Sequence, residues 1–89
     1  MKYEVVVPYR IGIELKKHLK SRELIRRFYK KLRKLERYPT VYGKPLREPL
    51  SGIWEIYFEK KWRVLFEIHE KDKTVVIIGF KHKNEMNKL

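Results

Sequence analysis

Residues 50–67, LSGIWEIYFEKKWRVLFE, decide the fold of this chain. Apolar and polar residues alternate on both sides of Glu59-Lys60, and this pattern predicts a β-hairpin with one buried face. The tryptophans and most other apolar side chains fall on that buried face. The opposite face carries Glu55, Tyr57 and Arg63, so a carboxylate, a phenol and a guanidinium lie on one side of the predicted sheet.

The rest of the chain predicts an α+β fold in the order β-α-α-β-β-β. The predicted strands are residues 3–7, 53–58, 62–69 and 74–80. The first predicted helix is residues 11–19, and the second begins after its cap Ser21 and stops before Pro39. We expect a mainly antiparallel four-stranded sheet with the two N-terminal helices packed on one face. Residues 74–80 are almost all apolar, which predicts a central strand covered on both faces. Pro39 is expected to end the second helix and begin a loop over 38–49, and residues 81–89 are expected to form a basic tail.

The composition indicates a single domain, residues 1–89, with a polyanionic partner. The chain has 23 Lys and Arg against 11 Asp and Glu, which gives a net charge of +12. Such an excess favours nucleic acid as the partner, with an acidic protein second. An anionic membrane surface is less favoured, because the most basic predicted helix needs its apolar face for the core. No apolar run is long enough to span a bilayer. The lack of cysteine excludes disulfides and zinc fingers and suits a cytoplasmic protein.

The second predicted helix has one strongly basic face. Leu24, Phe28 and Leu32 belong to an apolar stripe of helical period, which is expected to face the core. The basic residues of the opposite face are Arg22, Arg26, Arg27, Lys30, Lys31, Arg33, Lys34 and Arg37. This face is expected to bind the phosphates of RNA in a salt-dependent way, and the alternative is an ordinary solvated helix surface.

Four short motifs occur in order over residues 43–86. They are Gly43-Lys44-Pro45, residues 50–54 (LSGIW), residues 63–67 (RVLFE) and, after an apolar strand, Lys81-His82-Lys83. Together they resemble the RelE/ParE superfamily of bacterial and archaeal toxins from type II toxin–antitoxin pairs. The local match is to YoeB-type and RelE-type messenger-RNA interferases, and the resemblance implies the same RelE-like fold.

The resemblance also implies an activity. Family members bind in the ribosomal decoding site and cleave messenger RNA there, through attack of a ribose 2′-OH on the adjacent phosphate. The expected protein is therefore a cytoplasmic, metal-independent endoribonuclease without a cofactor. Its expected partners are a cognate acidic, RelB-like antitoxin, the ribosome with its RNA, and messenger RNA. Two alternatives remain open: a ParE-type inhibitor of DNA gyrase, and a catalytically decayed member that only binds nucleic acid or antitoxin.

Three cationic positions and one histidine match family positions that act on the scissile phosphate. Arg63 matches the arginine that contacts this phosphate, and the alternative is an exposed arginine paired with a cross-strand glutamate. His82 lies one residue from the position of a histidine that would protonate the 5′-leaving group, and the alternative is a solvated side chain. Lys81 or Lys83 would replace an arginine that stabilises the transition state, although an ammonium lacks the fork of a guanidinium.

Two carboxylates are candidates for the general base of this reaction. Glu48 lies near the position of the YoeB-type glutamate, in the proline-rich loop. Glu55 shares a face with Arg63, and the alternative is an ion pair between them. Tyr57 is expected to stack on a base or to bind a phosphate, or else to be an ordinary strand tyrosine. The chain lacks the lysine pair that RelE carries at the positions of Glu55 and Tyr57, and it has no aromatic residue near Asn87.

Overall fold

The structure is a computed structural model that describes residues 2–86 as a five-stranded sheet with helices on one face; Asn87 lies outside the described residues. The strands are β1 (Glu4–Val6), β2 (Lys44–Pro45), β3 (Trp54–Phe58), β4 (Trp62–His69) and β5 (Thr74–His82). The helices are α1 (Tyr9–His18), α2 (Arg22–Leu32), α3 (Pro39–Tyr42) and α4 (Lys83–Met86), and a 3₁₀ turn (Arg33–Glu36) extends α2.

The sheet has the order β1-β5-β4-β3-β2, with β1 parallel to β5 and every other pair antiparallel. The predicted α+β class is confirmed, but the sheet gains a fifth strand inside the predicted loop 38–49. This strand, β2, pairs only with Trp54 and Glu55 of β3. The chain reaches β2 through Gly43, where an added side chain would collide with the ring of Phe66. The absence of a side chain at this position therefore lets α3 and β2 lie directly on the sheet.

The core lies between the sheet and the helices α1 and α2. Phe28 of α2 is fully buried and packs edge-to-face against Phe58 and Phe80, with ring centroids 5.6 Å apart in both pairs. Trp62 stacks on Phe80 at 4.7 Å, as expected for a tryptophan on the buried face of the hairpin. The other fully buried large side chains are Phe66, Ile11, Leu15, Leu19, Leu35, Ile77, Val64 and Val75.

A β-bulge in β5 changes which side chains face the helices. Leu65 of β4 pairs with Gly79, but the next residue, Phe66, pairs with Ile77, so Ile78 is an extra residue in β5. Such an extra residue reverses the alternation of side chains beyond it. Val75 and Ile77 therefore point to the core before the bulge, and Phe80 does so after it.

Several predicted boundaries shift along the chain, and two of these differences matter for the architecture and the site. Pro39 ends the extension of α2 but also starts α3, because proline fits the first position of a helix. The last strand continues beyond Phe80 to His82, so Lys81 and His82 lie in the sheet and not in a tail. This strand is central, as predicted, but Val76 and Ile78 on the face away from the helices stay half-buried.

A tyrosine–carboxylate contact ties β1 to the turn between β4 and β5. The hydroxyl of Tyr3 donates a hydrogen bond to Oε1 of Glu70 at 2.6 Å, and Lys73 lies 3.4 Å from the same carboxylate. The hydrogen bond from Tyr3, followed by the charge of Lys73, lowers the pKa of Glu70. The same hydrogen bond raises the pKa of Tyr3.

The lowered pKa of Glu70 and the raised pKa of Tyr3 lead to a first testable prediction. Because the pKa of Glu70 is lowered in the fold, its contribution is present above the ordinary glutamate value and is lost as pH falls through the lowered pKa. The contribution of Tyr3 is present below the ordinary tyrosine value and is lost as pH rises through the raised pKa. We expect Tyr3→Phe to lower the urea midpoint slightly at neutral pH and to reduce its decline in acid. The effect is small because the carboxylate of Glu70 is exposed to solvent. Tyr9→Phe is the control, and equal pH profiles for the two variants would contradict the prediction.

Candidate functional site

Three of the predicted site residues form one row across the sheet face that the helices leave open. Tyr57 of β3 pairs in register with Arg63 of β4, and Arg63 pairs with Lys81 of β5. Side chains of directly paired residues lie on the same face of a sheet. Lys81 joins the row because the bulge at Ile78 reverses the alternation of β5.

Neighbouring groups orient the guanidinium of Arg63, which forms no ion pair within residues 2–86. Its central carbon lies 3.8 Å from the centroid of the Tyr57 ring, in a cation–π contact. One terminal nitrogen donates to the backbone carbonyl of Trp62 at 3.3 Å. The half-buried Arg63 makes no ion pair with Glu55 within residues 2–86, so the alternative of a cross-strand pair is not observed. Its remaining N–H donors can therefore bind an anion.

Glu55 lies beside this row and keeps a free carboxylate. It is two residues before Tyr57 on the same face of β3, and it is therefore diagonal to Arg63, at about 7–8 Å between the backbones. Glu55 is half-buried as a residue, and its carboxylate has neither a hydrogen bond nor an ion pair to any residue that the structure describes. Glu55 is thus close enough to Arg63 for both to reach one phosphodiester, yet it is not neutralised.

A concavity of about 200 Å³ adjoins Glu55 at the edge of the sheet. It is lined by Lys31, Tyr42, Lys44, Glu55, Ile56 and Tyr57. Lys44 is the register partner of Glu55, and its ammonium lies 5.6 Å from the centroid of the Tyr57 ring. Lys44 and Tyr42 are site residues that were not predicted from the sequence, although Lys44 lies inside the Gly43-Lys44-Pro45 motif.

The structure does not bring His82 to Arg63. His82 pairs in register with Trp62, and its ring packs against that indole at 5.3 Å, on the side of the helices. Its Nδ1 accepts a hydrogen bond from the backbone N–H of Asn84 at 3.2 Å. His82 therefore lies at the start of α4 and caps it. Because of the bulge, Lys81 lies beside Arg63 in place of His82.

Two further predicted residues lie away from the row. Glu48 is exposed in the segment between β2 and β3, and it has no hydrogen bond or ion pair to Arg63 or Lys81 among the described residues. Lys83 is exposed at the start of α4, and its backbone N–H donates to the carbonyl of Lys61 at 2.7 Å. Glu55 is therefore the carboxylate, and Lys81 the lysine, that the fold places beside Arg63.

The basic face of α2 and its extension is exposed along most of its length, with Lys31 half-buried. Part of this positive charge is offset by a glutamate of the same helix. The carboxylate of Glu23 contacts Arg26 at 2.7 Å and Arg27 at 3.4 Å. The hydrogen bond from Arg26 is the main cause that lowers the pKa of Glu23. Arg27 also pairs with Glu59 at 3.2 Å. The residues without an acidic partner among residues 2–86 are Arg22, Lys30, Lys31, Arg33, Lys34 and Arg37.

Within residues 2–86, no group of three or more His, Cys, Asp or Glu side chains is arranged to hold a metal ion. None of the described helices has the length and apolar character needed to cross a bilayer.

Comparisons with known proteins identify a sequence relative and two solved structures. No protein-family model matches the chain. The "Putative toxin RelE4" of Methanocaldococcus jannaschii is 26% identical over 87 residues, which cover 97% of this chain and 92% of that protein.

The toxin–antitoxin complex RelBE2 of Mycobacterium tuberculosis contains a similar chain, with 27% identity and a TM-score of 0.74. The match covers 93% of this chain and all of that one. A double arginine-to-alanine mutant of Escherichia coli toxin RelE in the free state has a TM-score of 0.72 with 20% identity, over 99% of this chain and 90% of that one.

Proposed function

We propose that this chain, a member of the RelE toxin superfamily by sequence and by fold, is a metal-independent endoribonuclease that cleaves messenger RNA on the ribosome. In more general terms, the chain is a RelE-type toxin of a toxin–antitoxin system. One observation carries the nuclease proposal. The open face of the sheet places the guanidinium of Arg63 and the ammonium of Lys81 in one row, with the unpaired carboxylate of Glu55 beside them.

Each residue of this group has a role in the proposed reaction. Glu55 accepts the proton of the ribose 2′-OH, whose oxygen attacks the adjacent phosphorus. Arg63 binds the phosphate through two N–H donors and, with Lys81, neutralises the charge that develops on the phosphorane. The bond between phosphorus and the 5′-oxygen breaks, and this oxygen takes a proton from the ammonium of Lys81. The products are a 2′,3′-cyclic phosphate and a free 5′-OH.

The other predicted residues keep secondary roles in this proposal. Glu48 remains an alternative proton acceptor, and Lys83 an additional phosphate contact. Exposed cations of α2 and its extension, such as Arg22, Arg33 and Arg37, hold the toxin on ribosomal RNA, since many weak phosphate contacts give strong but salt-sensitive binding.

The experiment that tests the nuclease proposal uses a translating extract with and without ribosomes, followed by mapping of the RNA ends. The proposal predicts cuts in phase with codons, cyclic-phosphate ends, and no cuts when ribosomes are removed. If DNA gyrase in the extract loses its supercoiling activity and no RNA is cut, the chain would instead be a ParE-type gyrase inhibitor. Neither effect would indicate a member that has lost catalysis.

The toxin also needs a partner that silences it, and the surface offers an apolar groove for one. The groove lies between β1, α1 and α2, has a volume of about 280 Å³, and includes Val7, Ile13, Ile25 and Tyr29. Lys16 lies on its rim. An apolar floor with a basic rim complements an amphipathic antitoxin helix that has acidic flanks. We propose that the acidic antitoxin docks here.

Gly12 allows a test that keeps the fold. It lies within α1 on this groove, and an added side chain would meet open space. We expect Gly12→Leu to weaken antitoxin binding about tenfold or more by filling the groove, while the helix becomes more stable. Gly12→Ala is the control, since it improves the helix but fills little space. Calorimetry with the cognate acidic antitoxin measures the effect, and unchanged affinity for Gly12→Leu would place the antitoxin elsewhere.

A further inference from the structure

A second concavity continues the one beside Glu55 along the edge of the sheet. It has a volume of about 210 Å³ and is lined by Arg27, Lys30, Lys31, Lys34, Phe58 and Glu59. Lys31 lines both concavities, so the two form one groove between α2 and β3. At its far end, the ion pair of Arg27 with Glu59 connects the helix to the turn after β3.

The groove exists because β2 is short. It covers β3 only at Trp54 and Glu55, so within residues 2–86 no strand pairs with the rest of this edge. An open edge in a protein normally invites pairing with another strand, and charged side chains prevent this. Here the side chains that border the edge are Lys31 and Lys34 on one side and Lys44 on the other.

Two tyrosine rings lie among these cations. Tyr42 is 47% exposed and Tyr57 is 45% exposed, so each ring is accessible although a cation is near it. The ammonium of Lys34 lies 5.2 Å from the centroid of the Tyr42 ring. Exposed aromatic rings interleaved with cations are the combination that binds single-stranded nucleic acid, because rings stack on bases and cations contact phosphates. An acidic peptide needs only the cations.

The backbone on both sides of Tyr42 is fixed before any ligand binds. Pro39, at the start of α3, is buried, and its carbonyl accepts a hydrogen bond from the N–H of Gly43 at 3.0 Å. Gly43 packs directly against the ring of Phe66 in the sheet. Tyr42 therefore stands between two anchored residues, which reduces the entropy lost when a base stacks on it.

We infer that this groove binds the single-stranded RNA that leads away from the cleavage site, with one base stacked on Tyr42. Lys31, Lys34 and Lys44 hold the phosphates on both sides of that base. The groove opens at Glu55, which belongs to the catalytic group, and at Tyr57, which lies beside Arg63 in the row, so one RNA strand can occupy both without a break. This inference rests on the proposed function, since it assumes that RNA lies on the row of Tyr57, Arg63 and Lys81.

The experiment measures binding of a short single-stranded RNA with 2′-O-methyl riboses, which cannot be cleaved by 2′-OH attack. Fluorescence anisotropy on the purified full chain is followed over a range of salt concentrations. We expect Tyr42→Leu to weaken binding about 5- to 150-fold at each salt concentration. Tyr42→Phe, the matched control, keeps the ring and the wild-type affinity. Unchanged RNA affinity of Tyr42→Leu overturns the inference, whether or not the binding of a polyglutamate peptide changes.

A second measurement separates stacking from charge and does not depend on the stability of α3. Lys44→Gln should reduce the slope of log affinity against log salt by about 0.7, the value for one lost phosphate contact on a single strand. Tyr42→Leu should leave that slope unchanged. Lys71→Gln, which removes an exposed charge from the turn between β4 and β5, is the control for charge and should leave the slope unchanged. An unchanged slope in Lys44→Gln overturns the inference.

The outcome also separates the groove from the proposed reaction. If the chain never cleaves RNA but shows the dependence on Tyr42, the groove stands and the nuclease proposal fails. If the chain cleaves RNA on ribosomes and shows no dependence on Tyr42, the nuclease proposal stands and the groove fails.

Discussion

Arg63→Ala is expected to lower RNA cleavage about 100- to 1,000-fold and to abolish growth inhibition, while the protein stays folded. Loss of one preorganised donor to a developing negative charge has an effect of this size. The fold should survive because Arg63 lies on the open face of the sheet, and its recorded contacts are with the Tyr57 ring and a neighbouring carbonyl. Cleavage is measured by primer extension on messenger RNA after induction, and the fold by circular dichroism.

Arg63→Lys is the informative companion to this variant. It keeps the positive charge but loses the fork that binds two phosphate oxygens and the planar contact with Tyr57. We expect it to cleave more than Arg63→Ala and less than the wild type. Lys71→Ala, in the turn between β4 and β5, controls for the loss of one charge, and this variant should cleave RNA normally. Toxicity that persists in folded Arg63→Ala would mean that Arg63 does not bind the scissile phosphate.

Phe28→Ala is expected to produce the largest loss of stability. Phe28 is fully buried and is the ring on which Tyr29, Phe58 and Phe80 all pack edge-to-face. Removal of a buried phenylalanine side chain costs about 3–5 kcal/mol, because the lost transfer free energy adds to the cavity left behind. Domains of this size are stable by only about 5–15 kcal/mol. The melting temperature should therefore fall by more than about 10 °C.

Phe28→Leu is the matched control, since it keeps most of the apolar volume and loses the edge-to-face contacts. Its loss of stability should be clearly smaller than that of Phe28→Ala. Thermal unfolding followed by circular dichroism measures both. A melting temperature for Phe28→Ala within a few degrees of the wild type would show that the helices do not depend on this contact with the sheet.

The central hairpin was predictable from sequence because its signal is local. Alternation fixed the bounds of β4 and placed Tyr57 and Arg63 on one face, and the register of the two strands agrees. The apolar stripe of α2 predicted the burial of Phe28 and Leu32 for the same reason. These features depend on the period of the side chains and need no knowledge of distant contacts.

The features that escaped prediction depend on tertiary contacts. A two-residue strand that ends in Pro45 has too few residues for alternation to show, and it forms because Gly43 packs on Phe66. The bulge determines on which face of the sheet Lys81 and His82 lie. The sequence pattern does not reveal this bulge, because the residues on both sides of it are apolar. The roles proposed for Glu48 and Glu55 differ for a similar reason, since only the strand register, which pairs Glu55 with Lys44 and places it diagonal to Arg63, distinguishes them.

The extra residue at Ile78 makes the chemistry of this surface depend on the regularity of β5 as well as on residue type. A strand of the same length without the bulge would turn the imidazole of His82 outward and the ammonium of Lys81 inward. A change that removed the bulge would thus exchange a lysine for a histidine on the open face, with no substitution at either position.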